Sequence, residues 1–146
     1  MSAADDLNAL LGSAVDVATD LLADATEFAP FALAMRRGDD EIVHLEPEQP
    51  DDDPETIIST LEEGLREAAE QGRYRAVAIV SDVTVEDDDG ELVTSAIHIA
   101  MEHAEEDAVS CVVPYTIGET EVELGDLIAE PTERVIFPPP PAQRPN

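Results

Sequence analysis

Four side chains near the middle of the chain have the types that carry chemistry: Asp82, His98, Glu102 and His103. Three of them fall in one run, Ala96-Ile97-His98-Ile99-Ala100-Met101-Glu102-His103, whose composition is that of a strand. Strand alternation places His98 and Glu102 on one face and His103 on the other. Asp82 belongs to the preceding strand and is expected beside His98. An imidazole oriented by a carboxylate is the smallest arrangement that supports general acid–base work. A metal site asks for His and carboxylate ligands that converge on a point, whereas residues four apart on a strand lie ~13 Å apart along it. No serine or cysteine nucleophile is identifiable beside the set from sequence. The commoner role for such residues is a cross-strand polar pair on an exposed face. Asp82, His98 and Glu102 are thus the candidate site, with no metal or cofactor assigned.

Other polar features have plainer explanations. Asp87-Asp88-Asp89-Gly90-Glu91 carries calcium-type ligands, but it is short and lies between strands, which suits a solvated hairpin turn. Asp51-Asp52-Asp53 reads as loop and helix cap. Cys111 alternates with Val109 and Val113, so it reads as a small buried hydrophobe. Arg73 and Arg75 flank Tyr74, and nearby carboxylates are their expected partners. There is no glycine-rich phosphate loop and no nucleophile elbow.

The elements that must position these residues follow from periodicity. Residues 2 to about 26 form an amphipathic helix, with Leu7, Leu10, Ala14, Val17 and Leu21 in its stripe and Ser2 in capping position. Pro30 stops it. Phe31 to Arg36, a turn at Arg37-Gly38-Asp39-Asp40, and Glu41 to Leu45 read as a hairpin. A polar loop over residues 46 to 53 leads to a second helix, capped by Asp53 with Pro54 at its first position and Gly72 just past its end. Three strands follow: Tyr74 to Val85, Leu92 to about Glu102, and Val109 to Tyr115. Val77, Ile79, Ile97, Ile99 and Met101 are expected to share the face that both helices cover. Ala76, Ala78, Asp82, His98, Ala100 and Glu102 are expected on the open face. Val122 to Ile128 reads as a short strand or helical turn, and Val135-Ile136-Phe137 as a last strand or docked clip.

Composition bounds the rest. The chain has 146 residues with 43% hydrophobic content, enough for one core without staples. There are 35 acidic residues against seven basic ones, all arginine, for a net charge of −28. Such a surface repels phosphate backbones and anionic lipid, which disfavours nucleic acid and membrane as partners. It suits solubility in a salty cytoplasm or plain compositional bias, docking of a basic protein, or, least of the three, an acidic mimic of nucleic acid. One cysteine excludes an intrachain disulfide. No apolar run approaches the ~20 residues of a membrane helix, and the first residues lack the pattern of a secretory signal, so a cytoplasmic setting is the expectation.

Several short motifs together resemble a family of small bacterial proteins of unknown function. They are Phe28-Ala29-Pro30-Phe31-Ala32, the strand Arg75 to Val85, the run Ala96 to His103, Val113-Pro114-Tyr115 and Ile136-Phe137-Pro138. The resemblance implies the element order and a bacterial intracellular setting, and brings no catalytic residues. The expected fold is an α+β two-layer sandwich in the order α-β-β-α-β-β-β, with about five mainly antiparallel strands and both helices on one face. Residues 1 to 137 are expected to form a single domain, and residues 138 to 146, with four consecutive prolines, an extended or disordered tail. The expected function is a non-enzymatic interaction module, binding itself or a basic protein. The alternative is a small-ligand binder or enzyme centred on Asp82, His98 and Glu102.

Overall fold

Residues 76 to 81 are buried without a break, Ala76-Val77-Ala78-Ile79-Val80-Ser81, so this strand is covered on both of its faces. That observation governs the architecture. The computed structural model describes residues 3–24, 28–38, 41–46, 53–86, 93–104, 106–118, 121–132 and 136–137. The expected Ser2 cap, the acidic turn at residues 87 to 91 and the proline-rich tail lie outside them.

The elements are α1 (Ala3–Asp24), β1 (Phe31–Arg36), β2 (Ile42–Leu45), α2 (Pro54–Glu70), β3 (Tyr74–Glu86), β4 (Val93–His103), β5 (Glu106–Ile117), β6 (Val122–Leu124) and β7 (Ile128–Pro131). The expected order holds and two short strands extend it. One sheet runs β2-β1-β3-β4-β5-β6, with β7 also paired to β5. Every pair is antiparallel. The fold is α+β as expected, with seven strands among the described residues rather than about five.

The two helices lie on opposite faces, which corrects the two-layer expectation. The β3–β4 ladder pairs Ala78 with Met101 and Val80 with Ile99. Paired residues share a face, so the small Ala76 and Ala78 join Ile97, Ile99 and Met101 beneath α1. Val77 and Ile79 point the other way, to Leu65 of α2. A one-residue difference in relative register exchanges every side chain between faces. The alanines let α1 approach closely: Leu10, Ala14, Ala18 and Leu22 form its buried stripe. Burying Leu10 and Leu22 contributes about 2 kcal/mol each. Leu21, expected in that stripe, is 40% exposed.

Local signals explain the ends of α2. Asp53 occupies the cap position without a side-chain cap bond, and Pro54 opens the helix. Gly72 takes φ +73°, the left-handed conformation that glycine adopts without strain. Its amide donates to the Ala69 carbonyl at 3.0 Å.

The far edge of β5 is shared. β6 pairs with its last residues, Tyr115 to Ile117, and β7 with Val109 to Val112. The break falls opposite Pro114. A strand residue points its N–H and C=O toward the same neighbour, and Pro114 has no N–H to give. Its carbonyl instead accepts from the amide of Gly125 at 2.7 Å. A Cβ on Gly125 would stand 3.4 Å from the Pro114 ring, so the close approach suits glycine.

Candidate functional site

Among the described residues, two polar constellations on each face bear on the site. On the α1 face, Asp6 sits in the first turn of α1 and is almost fully buried. Arg75, near the start of β3, grips it with both arms: Nε donates to Oδ2 at 3.0 Å and Nη2 to Oδ1 at 3.2 Å. The third guanidinium nitrogen, Nη1, donates to the carbonyl of Arg36 on β1. His103 at the end of β4, also buried, places Nε2 2.9 Å from Asp6 Oδ2. The arginine hydrogen bonds hold the Asp6 carboxyl below its ordinary range, against the opposing effect of burial, with help from His103. One carboxylate thus joins α1, β3 and β4, and through Arg75 also β1. Bidentate pairing of this kind fixes geometry as well as charge.

At the other end of the same face, the Tyr115 hydroxyl donates to Asp82 Oδ1 at 2.7 Å. Asp82 is paired across the ladder with Ile97, so it lies on the α1 face. His98 is paired with Ser81 and lies on the α2 face. The expected Asp82–His98 pair is therefore not formed: the sheet stands between them. The cause is the same register that separates Val77 from Ile99.

On the α2 face, His98 and Glu102 share a side as alternation requires, but they make separate contacts. Glu102 lies where the β4–β5 register shifts, between Met101 and His103. Its carboxylate is buried and accepts the backbone N–H of Ile136 at 3.0 Å and that of Phe137 at 3.1 Å. These bonds seat Ile136 and Phe137 in the core beside Leu65, Val77 and Ile79. Residues 136 and 137 therefore dock as a clip rather than a strand. Glu102 acts here as a receptor for main-chain amides.

His98 is half-buried, and its Nε2 lies 2.7 Å from Ser110 Oγ on β5. Burial lowers its pKa, which keeps the imidazole neutral at pH 7 and able to accept the hydroxyl proton. A serine hydroxyl against an imidazole is the first half of a nucleophilic relay. Among the described residues no carboxylate is bonded to the other ring nitrogen. Ser110 is the partner that sequence reasoning missed. Val112, rather than Ser110, is the residue directly opposite His98, so the contact is diagonal and leaves no mark in alternation.

Cys111 is buried within the α1-face core, as expected, and burial raises its thiol pKa away from thiolate reactivity. Arg75 finds a carboxylate, Asp6, as expected for a cation in so acidic a chain. Among the described residues no group of three or more His, Cys, Asp or Glu side chains could hold a metal ion. Among them, too, no helix is long and apolar enough to cross a membrane.

Among the described residues, one part of the sheet has no covering element. α2 packs on β3 and β1. On that same face of β4 and β5, His98, Ala100, Ser110 and Val112 are only half-buried, and Ile128 of β7, paired with Val112, is exposed. In comparisons with family models, curated proteins and solved structures, nothing matches the chain.

Proposed function

We propose that the chain is a non-enzymatic protein-interaction module, acting in the bacterial cytoplasm that the sequence resemblance implies. The observation that carries this reading is the partly open α2 face, where Ala100 and Val112 are half-buried and Ile128 is exposed. Incompletely covered apolar side chains grouped on a surface mark association sites. The candidate partners are a second copy or a basic protein, since a net charge of −28 attracts cations and repels nucleic acid and anionic lipid. Two measurements test it together: sedimentation over a wide concentration range, and affinity capture from cytoplasm at low and high salt. A strict monomer that retains no specific partner at either salt would sink the proposal.

The His98–Ser110 contact favours a second reading, a small-ligand binder or acyl-transfer enzyme on the same face. It requires that His98→Ala and Ser110→Ala each abolish a ligand-induced stabilisation or an esterase activity of the parent. Retention of both in the two variants rules it out.

A further inference from the structure

We infer that the strip formed by the end of β5 with β6 and β7 is a docking surface for a basic polypeptide segment that carries apolar anchors. This rests on the interaction reading above and names its surface and partner chemistry. Five large hydrophobic side chains are exposed among the described residues, and four of them are here: Ile117, Leu124, Leu127 and Ile128. Ile117 is paired with Val122, and Tyr115 with Leu124, so Ile117 and Leu124 are diagonal neighbours on the α1 face. Ile128, paired with Val112, faces the open side, and Leu127 lies between the two strands. Exposed apolar side chains therefore run around this edge from one face to the other.

Around those anchors stand exposed carboxylates, Glu121, Glu123, Asp126 and Glu130, and the stretch 121 to 132 holds no basic residue. Exposed apolar side chains interspersed with charges of one sign make up a protein interface, and those charges set the sign of the partner. A second copy would set these carboxylates against their own kind, with −28 facing −28. Strand addition at this edge is opposed by the break at Gly125 and by Pro131 in β7. What fits is a segment that wraps the edge, its lysines or arginines meeting Glu123 and Glu130 on the open face while its apolar side chains cover Ile128 there and Leu124 on the α1 face.

The test uses the full chain and three synthetic peptides, one alternating lysine with leucine, one lysine with serine, and one glutamate with leucine. Binding is followed by calorimetry, and amide chemical shifts locate it on the parent protein. The lysine–leucine peptide should bind at least about tenfold more tightly than either of the others. Its shifts should centre on residues 121 to 130. A Leu124→Ser/Ile128→Ser variant, with its thermal midpoint checked, should lose about tenfold in affinity. Equal binding of the lysine–serine peptide would reduce the surface to charge alone and overturn the inference. So would no binding, or binding undiminished in the variant. Shifts centred elsewhere would overturn this surface while leaving the interaction reading standing, because that reading is tested by its own sedimentation and capture.

Discussion

Asp6 is the residue on which the placement of α1 turns. It is nearly buried, carries a formal charge and is held by Arg75 and His103. Removing one member of such a set leaves the others desolvated and uncompensated. Arg75 keeps some solvent contact, which softens the loss. Asp6→Asn should therefore cost about 2 kcal/mol at pH 7, read as a lower denaturant midpoint. The pH dependence follows from sign. The folded Asp6 pKa is depressed, so its contribution is fully present above the unfolded value of about 3.9 and is lost as pH falls through the folded value. In Asp6→Asn this acid-dependent loss should shrink. His98 acts in a different window. Its folded pKa is also depressed, but for an imidazole that means the unfolded chain binds the proton more readily. Stability should begin to fall as pH drops through about 6.5, and His98→Gln should flatten that part of the titration. Little of this was visible in the chain itself. Asp6 reads as an ordinary acidic residue in a helix N-terminus, and its bond to His103 spans 97 positions.

At the scale of elements, the two-sided burial of β3 decides the fold. Ala78 packs beneath α1 with no exposed surface, whereas Ala100, one strand away and on the other face, is half-buried on the open side. Ala78→Leu should overpack the α1 layer and cost about 2 kcal/mol, while Ala100→Leu should stay within about 0.5 kcal/mol of the parent. Equal effects in a denaturation series would contradict the assignment of faces. The same feature explains what the sequence did and did not reveal. Strand and helix identities were legible because α1, α2 and the long strands carry clear periodicity and breakers such as Pro30 and Gly72. The faces were not legible, because a strand buried on both sides has no polar alternation to mark inside from outside. Val77 and Ile79 match Ile97 and Ile99 in size, but the ladder sets them one residue out of phase and so on the opposite face. Asp82 and His98 follow the same ladder, so the pair expected from alternation falls across the sheet. β6 and β7 were hard to resolve because each is short and the break between them depends on Pro114 of another strand.

Over the whole molecule, 35 acidic residues against seven arginines set a repulsive field that the folded state concentrates. Monovalent salt screens it. Raising salt from about 0.05 M to about 1 M should lift the thermal midpoint by about 5 °C, measured by calorimetry. A flat response would mean that local pairs such as Asp6–Arg75 outweigh the global field. The charge also bears on the partner, since the same salt should weaken the capture of a basic segment at the β6–β7 strip. The position of α1 has a further consequence, in time rather than in energy. α1 precedes every described strand, yet Leu10, Ala14, Ala18 and Leu22 pack against strands that include β4 and β5. During synthesis that stripe has no complete surface to cover until residues beyond His103 have emerged, and its tether from Asp6 to His103 cannot form earlier. Contacts of such long sequence separation slow folding. The apolar stripe of α1 therefore stays uncovered until the β4 and β5 segments have followed it, and the aspartates on the same helix oppose its association with other copies meanwhile.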